Sequence, residues 1–355
     1  MSKRIVICAD GTWNAPEQMQ AGRSSASNVV RVASSVQPLD ARGMPQVVYY
    51  HKGVGARGGL WDRLSGGAFG AGISRNIEDL YLFLITNYAP GDELFLFGFS
   101  RGAYAVRSLA GLIRNCGLLR PQFMDKYLQA YALYRDRSAE TRPDAPAAGE
   151  FRARYAWPDF PIRFMGVWDT VGALGIPVTP LRFWTKRYYE FHDVDLSSHV
   201  QRAYQALAID ERRPSFTPAI WRQQPHAVEQ ILEQAWFPGV HSDIGGAYGK
   251  RGLADCSLGW MWSRAVQCGL ALEDERMPKG DPLAPMGNSM TPGYRLLGER
   301  RRVLGEGGMA AQEGVHRCVL ERLKGSAAYR PANLVDYCTG AHRVYDDPAV
   351  SPKQL

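Results

Sequence analysis

Residues 94–99, "LFLFGF", form an unbroken apolar run that breaks off at "SRG", and "RGAYAVRSLAGLIRNCG" then continues with apolar residues at helical spacing. A strand without polar alternation has both faces buried, which requires helices packed on both sides of a sheet. The chain upstream agrees. "RIVICAD" and "PQVVYYHKG" read as strands, and Ile73, Ile77, Leu80, Leu84 and Ile85 mark one helix that stops at Pro90-Gly91. Strand and helix in alternation predict an α/β fold with a central, mostly parallel sheet. With 45% hydrophobic residues in 355, the chain can bury a large core.

The junction itself is Gly98-Phe99-Ser100-Arg101-Gly102. Gly-x-Ser-x-Gly between a buried strand and a helix is the nucleophile-elbow pattern of α/β-hydrolases. The glycines let strand and helix approach closely around a strained serine. A serine hydroxyl needs a base, usually a histidine oriented by a carboxylate, and in this chain order both follow the serine. "GVWDTVG" offers Asp169 and "GVHSDIGG" offers His241, each after an apolar run and before a glycine-containing turn. Asp243 is a rival acid better suited to tying down its own loop, and Asp193 and Asp255 are more distant alternatives. His51 precedes the serine, His192 and His199 fall in a polar stretch with no strand ending there, His226 follows a Pro in a linker, and His316 and His342 lie in the irregular C-terminal part. The Arg101 N–H is one oxyanion donor, and "CADGTWN" offers Gly11 and Thr12 as the second, with Asp10 shaping that loop.

The blocks "CADGTWN", "GFSRGAYAVRSLAGLI", "GVWDTVGALG" and "WFPGVHSDIGGAYG" together resemble a family of α/β-hydrolase-like domains. That family includes the catalytic domains of phospholipase effectors delivered by bacterial type VI secretion. The resemblance extends over most of residues 4–260 and implies a Ser-Asp-His triad at Ser100, Asp169 and His241. For the effector members it implies hydrolysis of glycerophospholipid esters without a cofactor. An esterase acting on a soluble acyl substrate and a catalytically silent binding protein are the alternatives.

The remaining expectations concern organisation and partners. Residues 1–273 read as one catalytic domain with an insertion or lid at about 176–200, and 274–355 as an irregular segment packed on it. "RFWTKRYYEF", 182–191, mixes basic and aromatic residues and is a candidate for an anionic membrane surface. The net charge of +7 suits such a partner. No run approaches the roughly 20 apolar residues of a membrane span, and the N-terminus lacks a signal peptide. The sequence therefore predicts a chain made soluble in the cytoplasm and open to signal-independent secretion. Six dispersed cysteines read as free thiols. "GVGARG", 53–58, is not followed by a helix, so it is no dinucleotide fingerprint. There is no metal motif and no patterning for nucleic acid, and "ERRR", 299–302, reads as a solvated charge run.

Overall fold

The computed structural model describes residues 2–11, 14, 17, 19–20, 22–53, 66–136, 138–171, 195–340 and 342–347. The strands are β1 (Arg4–Ala9), β2 (Met19–Gln20), β3 (Arg23–Ser24), β4 (Gln46–His51), β5 (Glu93–Phe99), β6 (Ile162–Trp168), β7 (Arg202–Ala208), β8 (Ile231–Phe237), β9 (Glu313–His316) and β10 (Val344–Tyr345). Apart from the short β2–β3 ribbon they make one sheet, ordered β4-β1-β5-β6-β7-β8-β9-β10. Its described pairings are all parallel. The chain steps outward from β1 to β4 and returns to β5 on the other side of β1. Such a reversal opens a crevice at the carboxyl ends of the two central strands.

The unbroken apolar strands are explained by what lies on each face. Ile5, Ile7, Leu94 and Leu96 point into one core with α2 (Gly66–Asn87), α3 (Arg101–Cys116), α4 (Tyr127–Arg135) and α5 (Pro146–Tyr155). Val6, Cys8, Phe95 and Phe97 point into a second core. There they meet α1 (Asn28–Ala33), α7 (Gly252–Gln267), α9 (Arg317–Gly325) and α10 (Ala332–Cys338). Two shorter helical turns, α6 (His241–Gly245) and α8 (Pro292–Leu296), lie between these. The helix expected around Ile73–Ile85 is present, with all five marker residues buried. The six cysteines are free thiols. No helix among the described residues is long and apolar enough to cross a membrane.

The Pro- and Ala-rich stretch after 138 contains α5, which starts at Pro146 and buries Ala148 and Phe151. One expectation needs correction. The stretch from 274, read as irregular, extends the main sheet by β9 and β10 and packs α9 and α10 on its second face. Strands of four and two residues are too short to leave a periodic signal. Most of the expected insertion at 176–200, and all of 182–191, lies outside the described residues.

The β5–α3 turn shows why its glycines are needed. A Cβ at Gly98 would stand 2.6 Å from the Cα of Ala103, and one at Gly102 only 2.1 Å from the carbonyl oxygen of Ala9. Helix α3 thus begins in backbone contact with the end of β1. Gly102→Ala is expected to lower the unfolding free energy by at least about 2 kcal/mol, because backbone on both sides must move. Gly149→Ala, in α5 with nothing within 4 Å of the added carbon, is expected to gain about 0.5–1 kcal/mol. Urea denaturation of both variants checks the contrast, and equal effects would refute it.

Candidate active site

Ser100 follows β5 directly and takes φ 56° and ψ −118°, a left-handed conformation that costs a non-glycine residue about 1–3 kcal/mol. Its N–H donates to the carbonyl of Trp168 at 3.0 Å, and its own carbonyl accepts from Tyr104 N–H at 3.1 Å. The backbone is thereby clamped between the end of β6 and the first turn of α3. The side chain makes no capping hydrogen bond to that helix.

Asp169 follows β6, also at positive φ (41°), and has no exposed surface. Its carboxylate is surrounded by donors. Oδ1 accepts from the Ala208 N–H at 3.0 Å and from Arg302 Nη1 at 2.5 Å. Oδ2 accepts from His241 Nδ1 at 2.5 Å and from Arg302 Nη2 at 2.9 Å. Burial alone would push this carboxyl up. The Arg302 charge and the bond and charge of His241 outweigh burial and hold it well below the usual carboxylate range.

His241 follows β8 as the first residue of α6. Its ring lies between Phe99 (centroids 4.7 Å apart) and Phe216 (4.9 Å, edge-on). Phe99 is the residue before Ser100, so the ends of β5, β6 and β8 bring Ser100, Asp169 and His241 to one edge of the sheet. Burial pushes the imidazole below its ordinary value, and Asp169 opposes this only in part. Because Nδ1 bonds the carboxylate, Nε2 is the nitrogen left for proton transfer.

The other expected residues have structural roles nearby. Gly98 and Gly102 form the close turn described above. The Asp243 carboxylate accepts from Val240 N–H (3.0 Å) and Gly287 N–H (3.0 Å), so it binds its own loop and not His241. Asp255 pairs with Arg31 and Arg251, and Asp193 lies outside the described residues. Asp10 accepts from Gly11 N–H (2.7 Å), Asn14 Nδ2 (3.2 Å), Ser27 Oγ (2.6 Å) and Tyr50 OH (2.9 Å). Burial still raises its carboxyl above the ordinary value. The Gly11 N–H is therefore directed at Asp10. What Gly11 gives the site is its missing Cβ, which would stand 3.2 Å from the Cβ of Ser100. Thr12 lies outside the described residues. Arg101 opens α3, and burial lowers its guanidinium to about 10.

Two further groups at the site carry no signal in the sequence. Arg302, which the pattern "ERRR" places in a solvated run, is buried against Asp169. Glu211 accepts from the His241 backbone N–H (3.2 Å), from Ser289 Oγ (3.0 Å) and from Nε and Nη2 of Arg213 (both 2.8 Å). Burial would raise Glu211, but the bonds and charge of Arg213 hold it at about 2. Among the described residues no cluster of His, Cys, Asp and Glu could hold a metal ion.

Residues 3–264 match the family described as the type VI secretion system phospholipase effector Tle1-like catalytic domain, and the chain belongs to that family. It is 26% identical over 243 residues to the uncharacterised protein YEL023C of Saccharomyces cerevisiae. That match covers 63% of this chain and 33% of the yeast protein. A crystal structure of an uncharacterised Pseudomonas aeruginosa protein shares the fold at TM-score 0.50 and 18% identity. The match covers 84% of this chain and 49% of that one. The Tle1 effector bound to the VgrG spike of the type 6 secretion system aligns at TM-score 0.37 and 20% identity, over 70% of this chain and 52% of that one. The chain thus spans a third to a half of the length of these relatives.

The two depressed titrations act on stability in the same direction. His241 is held below its ordinary value, so the unfolded chain binds that proton more readily. Its effect begins as the pH falls through about 6.5. The contribution of Asp169 is present above about pH 3.9 and is lost as the pH falls further. Urea unfolding at stepped pH is expected to show stability falling from neutral to acid through both windows. In Asp169→Asn, Arg302 is left as an uncompensated buried charge. That variant is expected to be about 3–5 kcal/mol less stable at neutral pH, with a shallower loss below about pH 4. A wild-type stability that is flat or rising on acidification would refute the assignment.

Proposed function

We propose that this member of the Tle1-like family is a serine hydrolase that cleaves carboxylic ester bonds, above all those of glycerophospholipids. The observation that carries the reading is the buried 2.5 Å hydrogen bond between His241 and Asp169 beside the strained Ser100. In this mechanism Ser100 Oγ attacks the ester carbonyl as His241 Nε2 takes its proton. The same nitrogen returns the proton to the leaving alcohol and then draws one from the water that releases the acid. Asp169 keeps the proton of the resting ring on Nδ1 and stabilises the imidazolium. An imidazole held below its ordinary value is neutral at pH 7, as a general base must be. The oxyanion falls to the N–H of Arg101, at the positive end of α3. The Gly11 N–H is directed at Asp10 and so is not the second donor. Each donor contributes about 10²–10³ in rate.

The lipid reading rests on the family and on one surface loop. Tyr294 packs edge-on to the Phe216 ring, and Arg302 donates to the Phe216 carbonyl, so both ends of the segment 294–302 are anchored on Phe216, whose ring lies beside His241. Between these anchors residues 295–301 are exposed, Leu296 at 90% and Leu297 at 42%. Arg295, Arg300 and Arg301 flank the leucines. Apolar tips ringed by guanidinium groups suit an anionic lipid surface. Such a surface would bring substrate to the candidate site directly, and the loop favours lipid over a soluble ester. Delivery by a type VI system is proposed from the family alone.

Labelling by a fluorophosphonate probe is expected for the wild type and absent in Ser100→Ala, which is also expected to lose at least about 10³-fold in ester turnover. Mixed phosphatidylglycerol–phosphatidylcholine vesicles are expected to release fatty acid. The double variant Leu296→Asp/Leu297→Asp is expected to bind these vesicles weakly while hydrolysing p-nitrophenyl butyrate normally. A folded wild type that neither labels nor hydrolyses esters would overturn the hydrolase reading. Full vesicle binding by the double variant would remove the loop's role.

A further inference from the structure

A triad carboxylate usually faces one cation, the imidazolium formed during reaction. Here it faces two. Arg302 spends all four of its terminal N–H bonds in this corner, on both oxygens of Asp169 and on the carbonyls of Ala208 (2.8 Å) and Phe216 (2.7 Å). Its own backbone is fixed as well. Asn333 in α10 donates to the carbonyls of Arg302 and Ile209, both at 3.1 Å. Residues 301–304 alternate between exposed and buried, with Arg302 and Leu304 turned inward. The guanidinium is thus delivered to the carboxylate by a segment anchored at both the sheet and α10.

We propose that Arg302 is a positioning residue of the proposed serine hydrolase, acting on His241 through Asp169. The inference rests on the Ser100–His241–Asp169 reading and goes beyond it in two respects. The bidentate grip fixes the carboxylate plane, so the Nδ1–H bond and with it the direction of Nε2 are set by Arg302. The guanidinium also takes part of the carboxylate's charge, leaving less to stabilise the imidazolium. Arg302 therefore makes His241 a weaker base that stays neutral to lower pH. Among the described residues the other charged groups around His241 are Glu211 and Arg213, which pair with each other and shift the imidazole in opposite directions, and Asp243, which is bonded to its own loop. None of them bonds Asp169 among the described residues, so Arg302 is the cation that sets how the carboxylate is shared.

The test uses Arg302→Gln and Arg302→Lys in the full chain, with p-nitrophenyl butyrate as substrate between about pH 5 and pH 9. In Arg302→Gln the acid limb of kcat/KM is expected to move up by about one pH unit, and kcat to fall about ten- to a hundredfold. In Arg302→Lys, which keeps the charge but not the fork, the limb is expected to stay near that of the wild type while kcat falls. The ring titration of His241 by NMR, assigned by difference with His241→Gln, reads the same shift without activity. A folded Arg302→Gln with an unmoved limb and an unmoved His241 titration overturns the proposal. If Arg302→Gln does not fold, Arg302→Lys decides, since full kcat or a displaced limb overturns it. A wild type that neither labels nor turns over ester refutes the triad, while the His241 titration still shows whether Arg302 governs the Asp169–His241 pair.

Discussion

A carboxylate without exposed surface carries a charge only where donors replace the water it has lost. At Asp169, among the described residues, four donors do this, and they come from separate parts of the chain. The Ala208 N–H lies at the end of β7, His241 follows β8, and both arms of Arg302 arrive from beyond residue 300. Asp169 itself follows β6. The carboxylate therefore ties three strand ends and the C-terminal stretch into one corner. Moving any of these segments would leave either a buried anion or a buried guanidinium short of partners, so the geometry of the corner is over-determined.

Ser100 depends on the same logic expressed in backbone. Its left-handed φ is unfavourable taken alone and is held by contacts on both sides. The Trp168 carbonyl fixes its N–H, and α3 starts so close to β1 that only glycine fits at position 102. The loop that leaves β1 is shaped in turn by Asp10, which accepts hydrogen bonds from Gly11, Asn14, Ser27 and Tyr50. The crevice between β1 and β5 is thus lined by one loop held by a buried acid and one turn held by steric exclusion.

These two kinds of constraint differ in how well a sequence reveals them. The β5–α3 turn is legible because everything it needs is local: an apolar run, two glycines at fixed spacing and a helical pattern. Asp169 and His241 are legible for a related reason, since each stands where an apolar run meets a glycine-containing turn. Their hydrogen bond follows from the parallel order of β6 and β8 in the sheet. Asp10 was legible as a loop-shaping group, but its partners at 27 and 50 were not. Arg302 was hidden because "ERRR" looks like solvent-facing charge. Its alternation of outward Arg301 and Val303 with inward Arg302 and Leu304 spans only four residues, and an arginine gives no sign that a carboxylate waits for it. Glu211 was hidden in the same way beside two arginines. Long-range ion pairs depend on which segments meet, and one-dimensional patterning carries little of that information.

The family match ends at residue 264, and the groups supplied after it are not peripheral. Ser289 donates to Glu211, which accepts the His241 N–H. The Gly287 N–H reaches Asp243, which fixes the loop that carries His241. Arg302 holds Asp169, and Asn333 holds the backbone of Arg302. A chain ending at 264 would retain Ser100, Asp169 and His241 but lose both Arg302 donors on the buried carboxylate. It would also expose the side of β8 that β9 covers. The charge of Asp169 is thus balanced from both sides of the matched segment's end, by His241 and the Ala208 N–H within it and by Arg302 beyond it. Retaining the three candidate residues alone therefore does not retain the whole charge balance around them, because one of the two cations on the carboxylate is supplied from outside the segment.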